Sequence, residues 1–155
     1  MDKKVLKSLK DILEKNKLLT LSTTKNNQPH SNTAYYVFDK NFNIYIWGEK
    51  NSAHFRNLLQ NKKVAINIFD SSQKWGSLLQ GIQAMGIAMP VNSKELIKAG
   101  LLYIKRFPSS LKMVKNPKGF HHKIFDSQLY KIKLNKIKVF DEKEFGKGNS
   151  REVSI

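Results

Sequence analysis

Between Ile44 and Phe69 the chain reads "IYIWGEKNSAHFRNLLQNKKVAINIF": a strand, a short polar loop, an amphipathic helix and a second strand. The loop from Gly48 to Ser52 gathers Gly, Lys, Asn and Ser where the helix begins. A helix start exposes unpaired N–H groups at the positive end of its dipole, so this loop is a candidate anion seat. Asn51 or Ser52 is also the expected N-cap, and capping is compatible with holding an anion. His54, one turn into the helix, is a candidate phosphate contact, with a surface or packed histidine as the plainer reading. Lys50 and Arg56 are further cations within reach of the loop.

No other constellation offers comparable chemistry. His121 and His122 are adjacent and point apart in extended chain, and only Asp126 is spaced to help them, so no metal site is expected. His30 follows Pro29 at a strand start, where exposure is expected. Asp39, Asp70 and Asp141 sit at strand ends, the usual place for turn-forming carboxylates. The chain has no Cys, which removes disulfides, Zn–thiolate sites and thiol nucleophiles. No Ser/His/Asp order, glycosidase-like carboxylate pair or phosphate loop of the Gly-Lys-Ser type occurs.

The net charge of +16 raises the question of a nucleic-acid partner. Nearly all of that charge is Lys: the only Arg residues are Arg56, Arg106 and Arg151. Phosphate and base recognition leans on the planar Arg fork, and the Lys is spread along the chain together with many Asn. A nucleic-acid-associated module therefore ranks below the other readings. No apolar run reaches the ~18 residues of a membrane span, and the charged N-terminus is no secretory signal. A single cytoplasmic domain over residues 1–155 is expected.

The seat needs a frame. Val5, Leu6, Leu9, Ile12 and Leu13 recur at helical spacing, which predicts a helix within residues 1–16. Strands are expected at 18–24, 30–39 and 44–48, joined by the turns "KNNQP" and "DKNFN". After the helix, with Ala53, Phe55, Leu58 and Leu59 inward, come strands at 63–69 and 78–91. Gly81 and Gly86 in the latter suggest a bulge or a close backbone approach. "NSKE" (92–95) reads as a capping box opening a helix with Leu96, Ile97, Leu101, Leu102 and Ile104 inward. In "QLYKIKLNKIKVFD", Tyr130, Ile132 and Leu134 share one face, leaving Lys131 and Lys133 to water. Residues 145–155 read as a loose tail. The expectation is a mainly β (α+β) fold, an antiparallel barrel or sheet with peripheral helices.

This order of elements, carried by "PHSNTAYYVFD", "IYIWG", "SAHFRNLLQN", "KVAINIF" and "QGIQAMGIA", resembles the pyridoxamine 5′-phosphate oxidase-like family of FMN-binding split barrels. "YIKRFPSSLKM" and "LYKIKLNKIKVFDEKEFGKG" are similar to its YhbP-like branch. The resemblance implies a homodimer holding FMN in a groove between subunits, with a small-molecule substrate over the flavin. By position, Asn32, Thr33, Ala34 and Tyr35 would run along the cofactor, with Trp47 and Gly48 near its ribityl chain or phosphate. Ser52 and His54, with Lys50 nearby, would hold the phosphate, and Gln83 would approach the ring from the partner side. The pattern departs from the oxidases where Asn32 replaces Arg, Val37 replaces Lys, and Ser52-Ala53-His54 stands for Ser-Arg-Lys. FMN-dependent redox chemistry is the leading reading, since there the cofactor supplies the reactivity that the side chains lack. A non-catalytic protein holding a flavin or haem-type ligand is the alternative.

Overall fold

The computed structural model describes residues 2–110 and 127–154. The elements run α1 (Lys3–Lys15), β1 (Leu18–Lys25), β2 (Gln28–Phe38), β3 (Ile44–Glu49), α2 (Ala53–Gln60), β4 (Lys63–Phe69), β5 (Gln80–Pro90), α3 (Ser93–Arg106), β6 (Ser127–Asp141), α4 (Glu142–Phe145) and β7 (Ser150–Ser154). All strand pairs are antiparallel, in the order β3-β2-β1-β4-β5-β6-β7.

Closure comes from β6. Its first residues, Ser127 to Ile132, pair with β3, while Tyr130 to Asp141 pair with β5. β3, β2, β1, β4, β5 and β6 thus form a closed six-stranded barrel, and β7 adds to the outside of β6 along Lys136–Phe140. β6 bends at a bulge: Met85 faces Lys136 and Gly86 faces Leu134, so Asn135 is the extra residue. A Cβ on Gly86 would lie 2.5 Å from the Lys133 carbonyl oxygen, so the bulge tolerates only Gly there.

Period-2 alternation fills the barrel with Leu19, Leu21, Ile44, Ile46, Val64, Ile66, Ile68, Ile82, Ala84, Ile132, Leu134, Ile137 and Val139. α1 adds Val5, Leu9, Ile12 and Leu13 to this core, and α2 adds Phe55 and Leu58. α1 starts on Asp2, whose side chain accepts from the Lys4 N–H at 2.7 Å. At its other end Arg106 donates to the carbonyls of Leu13 (2.6 Å) and Asn16, with its guanidinium 4.7 Å from the Tyr36 ring centroid. Tyr36 donates to the same Leu13 carbonyl at 2.9 Å.

α3 lies outside the barrel over β2 and β3, where Val37, Tyr45, Ala99, Tyr103 and Leu129 form a second cluster. The capping box is present, with Asn92 accepting from the Glu95 N–H and Glu95 from the Asn92 N–H. A buried Asp39 anchors this helix, accepting from Lys98 Nζ (2.6 Å), the Tyr45 hydroxyl (3.1 Å) and the Asn41 and Asn43 N–H groups. Asp39 therefore shapes the turn, as expected, and also ties α3 to the barrel.

Several expectations are corrected. Residues 150–154 of the supposed loose tail are strand β7. Leu59, Leu96, Ile97 and Leu101 are exposed, because α2 and α3 each bury a narrow stripe, and in α3 it runs through Ala99 and Tyr103. Lys131 is not a solvated lysine but an ion-pair partner of Glu95. The strand expected at 78–91 begins at Gln80. His121, His122 and Asp126 lie outside the described residues.

Burial pushes the Asp39 carboxyl up, but the Lys98 and Asn43 side chains and the Asn43 and Asn41 amides outweigh it and hold it at about 2. A group held lower in the folded than in the unfolded state stabilises above its unfolded value and loses that contribution on acidification. Stability should therefore fall between about pH 4 and pH 2, by on the order of 2 kcal/mol from this group. Urea unfolding of Asp39→Asn should lack that portion of the acid dependence.

Candidate functional site

β3 and α2 meet at the loop singled out above. Ser52 is the N-cap by backbone geometry (φ −64°, ψ 153°), yet its hydroxyl makes no capping bond. It lies 3.1 Å from His54 Nε2 instead. The expected capping hydroxyl is thus turned onto an imidazole, which leaves the first-turn N–H groups of α2 without that acceptor. His54 packs edge-on against Phe55 (4.4 Å between centroids), and a Cβ on Gly48 would lie 3.3 Å from Phe55 and 3.4 Å from His54 Nε2. Gly48 is what lets the end of β3 approach this ring.

The floor of the site is β2. His30 stacks with His54 at 6.5 Å between centroids and an interplanar angle of 26°. It is half-buried rather than exposed, with its Nδ1 buried. Two residues on, the Asn32 Oδ1 is also buried, and neither atom has a hydrogen-bond partner among the described residues. Beside His30, Thr23 accepts from the Asn57 amide of α2 at 3.1 Å, which fixes helix against floor. Burial, with His30 adding to it, holds the His54 imidazole below the ordinary histidine range. The Ser52 hydroxyl and the first-turn N–H groups suit a ligand that brings its own oxygen acceptors, whereas the Asn32 Oδ1 is itself an acceptor and meets such a ligand only with its amide turned to present the NH2.

Alternation along β2 divides the remaining expected residues. Asn32 and Ala34 share the inner face with Leu21 and Leu19, whereas Thr33 and Tyr35 lie outside, opposite Thr20 and Leu18. Trp47 is outside as well, edge-on to Tyr103 at 6.0 Å, and Tyr35 is edge-on to Phe107 at 5.4 Å. Lys50 is exposed, and the Arg56 guanidinium is turned onto the Asn51 carbonyl. Gln83 faces outward in a row with Asn67, Thr20 and Thr33, three strands or about 14 Å from Thr33. It borders a shallow recess of about 290 Å³ shared with Ala65, Met85 and Lys138.

Within one chain, then, Gly48, Ser52 and His54 are gathered beside His30, Asn32 lies two residues further along the same face of β2, and Thr33, Tyr35 and Trp47 lie on the outer face. Gln83 is not brought to them. His30 was missed from sequence, although its even spacing from Asn32 along β2 signalled a shared face. A second cleft, of about 200 Å³ beneath α1, is lined by alternating charges from Lys7, Asp11, Lys15 and Asp70 and does not touch these residues.

Comparison with known proteins fits this layout. The family model described as pyridoxamine 5′-phosphate oxidase matches residues 5–140. The chain belongs to the pyridoxamine 5′-phosphate oxidase family. The UPF0306 protein PM1958 of Pasteurella multocida is 31% identical over 137 residues, 87% of this chain and 83% of that protein. Among solved structures, a haem-binding protein from Mycobacterium smegmatis superposes with a TM-score of 0.76 at 14% identity over 99% of this chain. The chain spans only 59% of that protein's length. HutZ, a haem storage protein from Vibrio cholerae, gives 0.68 at 16% identity over 84% of this chain and 90% of its own. At such identities the likeness shows the shared split-barrel fold. No described helix is long and apolar enough to cross a membrane.

The packing at Gly48 is directly testable. Gly48→Val should destabilise the protein by about 1–3 kcal/mol through overpacking against Phe55. It should also shift the His54 ring resonances in an NMR spectrum, whereas the exposed Gly76→Ala should leave them in place.

Proposed function

We propose that this chain binds FMN, or a flavin phosphate like it, as a homodimer and uses it to oxidise or reduce a small molecule. The observation that carries this reading is the meeting of Ser52, His54 and Gly48 at the start of α2, with Asn32 on the strand beside it, at the position where the resemblance to flavin-binding members puts the phosphate. The phosphate would take the Ser52 hydroxyl, the α2 N–H groups, His54 and the Asn32 amide, turned to present its NH2. Thr33, Tyr35 and Trp47 would flank the rest of the cofactor, with Lys50 at the rim. When bound, the flavin supplies two-electron redox chemistry. The chain's own residues bind it, orient it and shield one of its faces.

The dimer is supported by the outer sheet face. Leu18, Thr20, Ser22, Ser31, Thr33, Tyr35, Ala65, Asn67, Gln83 and Met85 face outward on adjacent strands as an uncharged stretch, bordered by Lys63 on β4 and by Lys136 and Lys138 on β6, in a chain of net charge +16. α1, α2 and α3 spend their buried faces elsewhere. A second copy laid on this face would bring its Gln83 toward the first copy's Thr33 and Tyr35, which one chain alone does not achieve.

The departures from the oxidases bear on affinity. A helix terminus contributes about 0.3–1 kcal/mol toward an anion, against roughly 1.5–3 kcal/mol for each charge-assisted hydrogen bond that Arg or Lys would have made. Binding weaker than in the oxidases follows. The haem-binding and haem-storage proteins among the structural relatives favour a second reading, a porphyrin held on the same scaffold.

An absorbance titration separates the two. With FMN, flavin bands should shift and saturate, and reduction by NAD(P)H should bleach them. A Soret band with added haem, and no response to FMN, would favour the porphyrin. Ser52→Ala with His54→Ala should weaken FMN binding about tenfold or more. Light scattering should report twice the chain mass, and a monomer at micromolar concentration would remove the shared groove.

A further inference from the structure

We propose that His54, with His30 stacked beside it, makes the seat a proton-gated anion site: the His54 ring carries a proton when a dianionic phosphate or sulfate is bound, and releases it as the anion leaves. The inference rests on the reading of the α2 start as the phosphate seat and says how that seat is regulated. His30 has no place in that reading so far.

The geometry carries the argument. Two imidazoles from different elements stack at 6.5 Å between centroids, with His54 Nε2 3.1 Å from the Ser52 hydroxyl and His30 Nδ1 buried without a partner. Burial, with His30 beside it, holds the His54 ring below the ordinary histidine range, so the empty seat favours a neutral His54. A dianion reverses the balance. Protonated His54 donates from Nε2 to Ser52 Oγ, which frees the Ser52 proton for an anion oxygen. His30 Nδ1, buried without a partner, can donate to an anion oxygen in the tautomer that places the ring N–H there.

No fixed charge around the pair preempts this. α2 contributes Arg56, engaged with the Asn51 carbonyl, and Asn57, engaged with Thr23. The loop contributes Lys50, which is exposed. β3 offers Gly48, with Glu49 alternating to the outer face, and β1 offers Thr23 with Lys25 at the hairpin end. No carboxylate among the described residues is paired with either ring by hydrogen bond or ion pair. The strong cations of related seats hold phosphate at any pH near neutrality, whereas imidazoles do so in proportion to their protonation. The predicted consequence is retention at mildly acidic pH and release on the alkaline side.

The test uses sulfate, whose charge is constant across this range, beside FMN, whose phosphate itself titrates near pH 6. Affinities would be measured from about pH 6 to pH 8, and the histidine ring resonances followed by NMR with and without sulfate. Sulfate affinity should fall about threefold or more over that range, and sulfate should raise the midpoint of His54 by about one pH unit. His54→Lys should bind at pH 8 more tightly than the native chain and with a flatter profile. His30→Asn should weaken sulfate binding while keeping its pH dependence.

Sulfate binding that does not vary with pH would overturn the inference and leave the flavin reading standing. Histidine midpoints unmoved by either anion would overturn it as well. Sulfate that moves His54 in a protein indifferent to FMN would support the proton gate and remove the flavin.

Discussion

Strand β6 holds hydrogen bonds to β3 along its first residues and to β5 along most of its length, and the barrel is closed only while both ladders are satisfied. Neither partner alone imposes closure. The bend that permits it is concentrated at Asn135, where Gly86 lets the β5 backbone approach the Lys133 carbonyl. Closure fixes which residues of β2 point inward, since a one-residue slip would exchange the faces. The candidate site depends on that choice: His30 and Asn32 lie under α2 because Thr33 and Tyr35 lie outside.

The site trades strong fixed charge for adaptable hydrogen bonding. Where the oxidase pattern that the sequence resembles has Arg and Lys, this chain offers an amide, a hydroxyl, two imidazoles and main-chain N–H groups. The Lys-rich composition does not compensate, because the nearest cations, Lys50 and Arg56, are exposed or engaged with a carbonyl. The charge of +16 on the whole molecule acts on solubility and approach, and the uncharged stretch of the outer face between Lys63 and the β6 lysines stands out against it.

Most of the frame was legible before the structure. Alternation in β1, β4 and β6, the turn residues at 25–29 and 39–43 and the capping box at Asn92 each express one local rule, and each is found in place. What escaped involves tertiary choice. Ile97 and Leu101 look like core by period, but α3 sits on a small external cluster that buries Ala99 and Tyr103 and packs Leu102 at its edge. The segment 150–154 carries weak strand signals of its own and becomes β7 because β6 offers it a free edge. At the site, Gly48, Ser52 and His54 were readable from spacing, whereas for His30 spacing gave only its face of β2, since the packing of α2 against β2 decides its contact with His54.

The account turns on one location, the start of α2, as the place where a ligand's anionic end is held. Two-dimensional amide NMR on the full chain during an FMN titration tests it most directly. The account predicts saturable shifts concentrated at Asn32, Gly48 and Ser52 through Phe55. Shifts confined to the charged cleft beneath α1, or an unperturbed spectrum at saturating flavin, would contradict it.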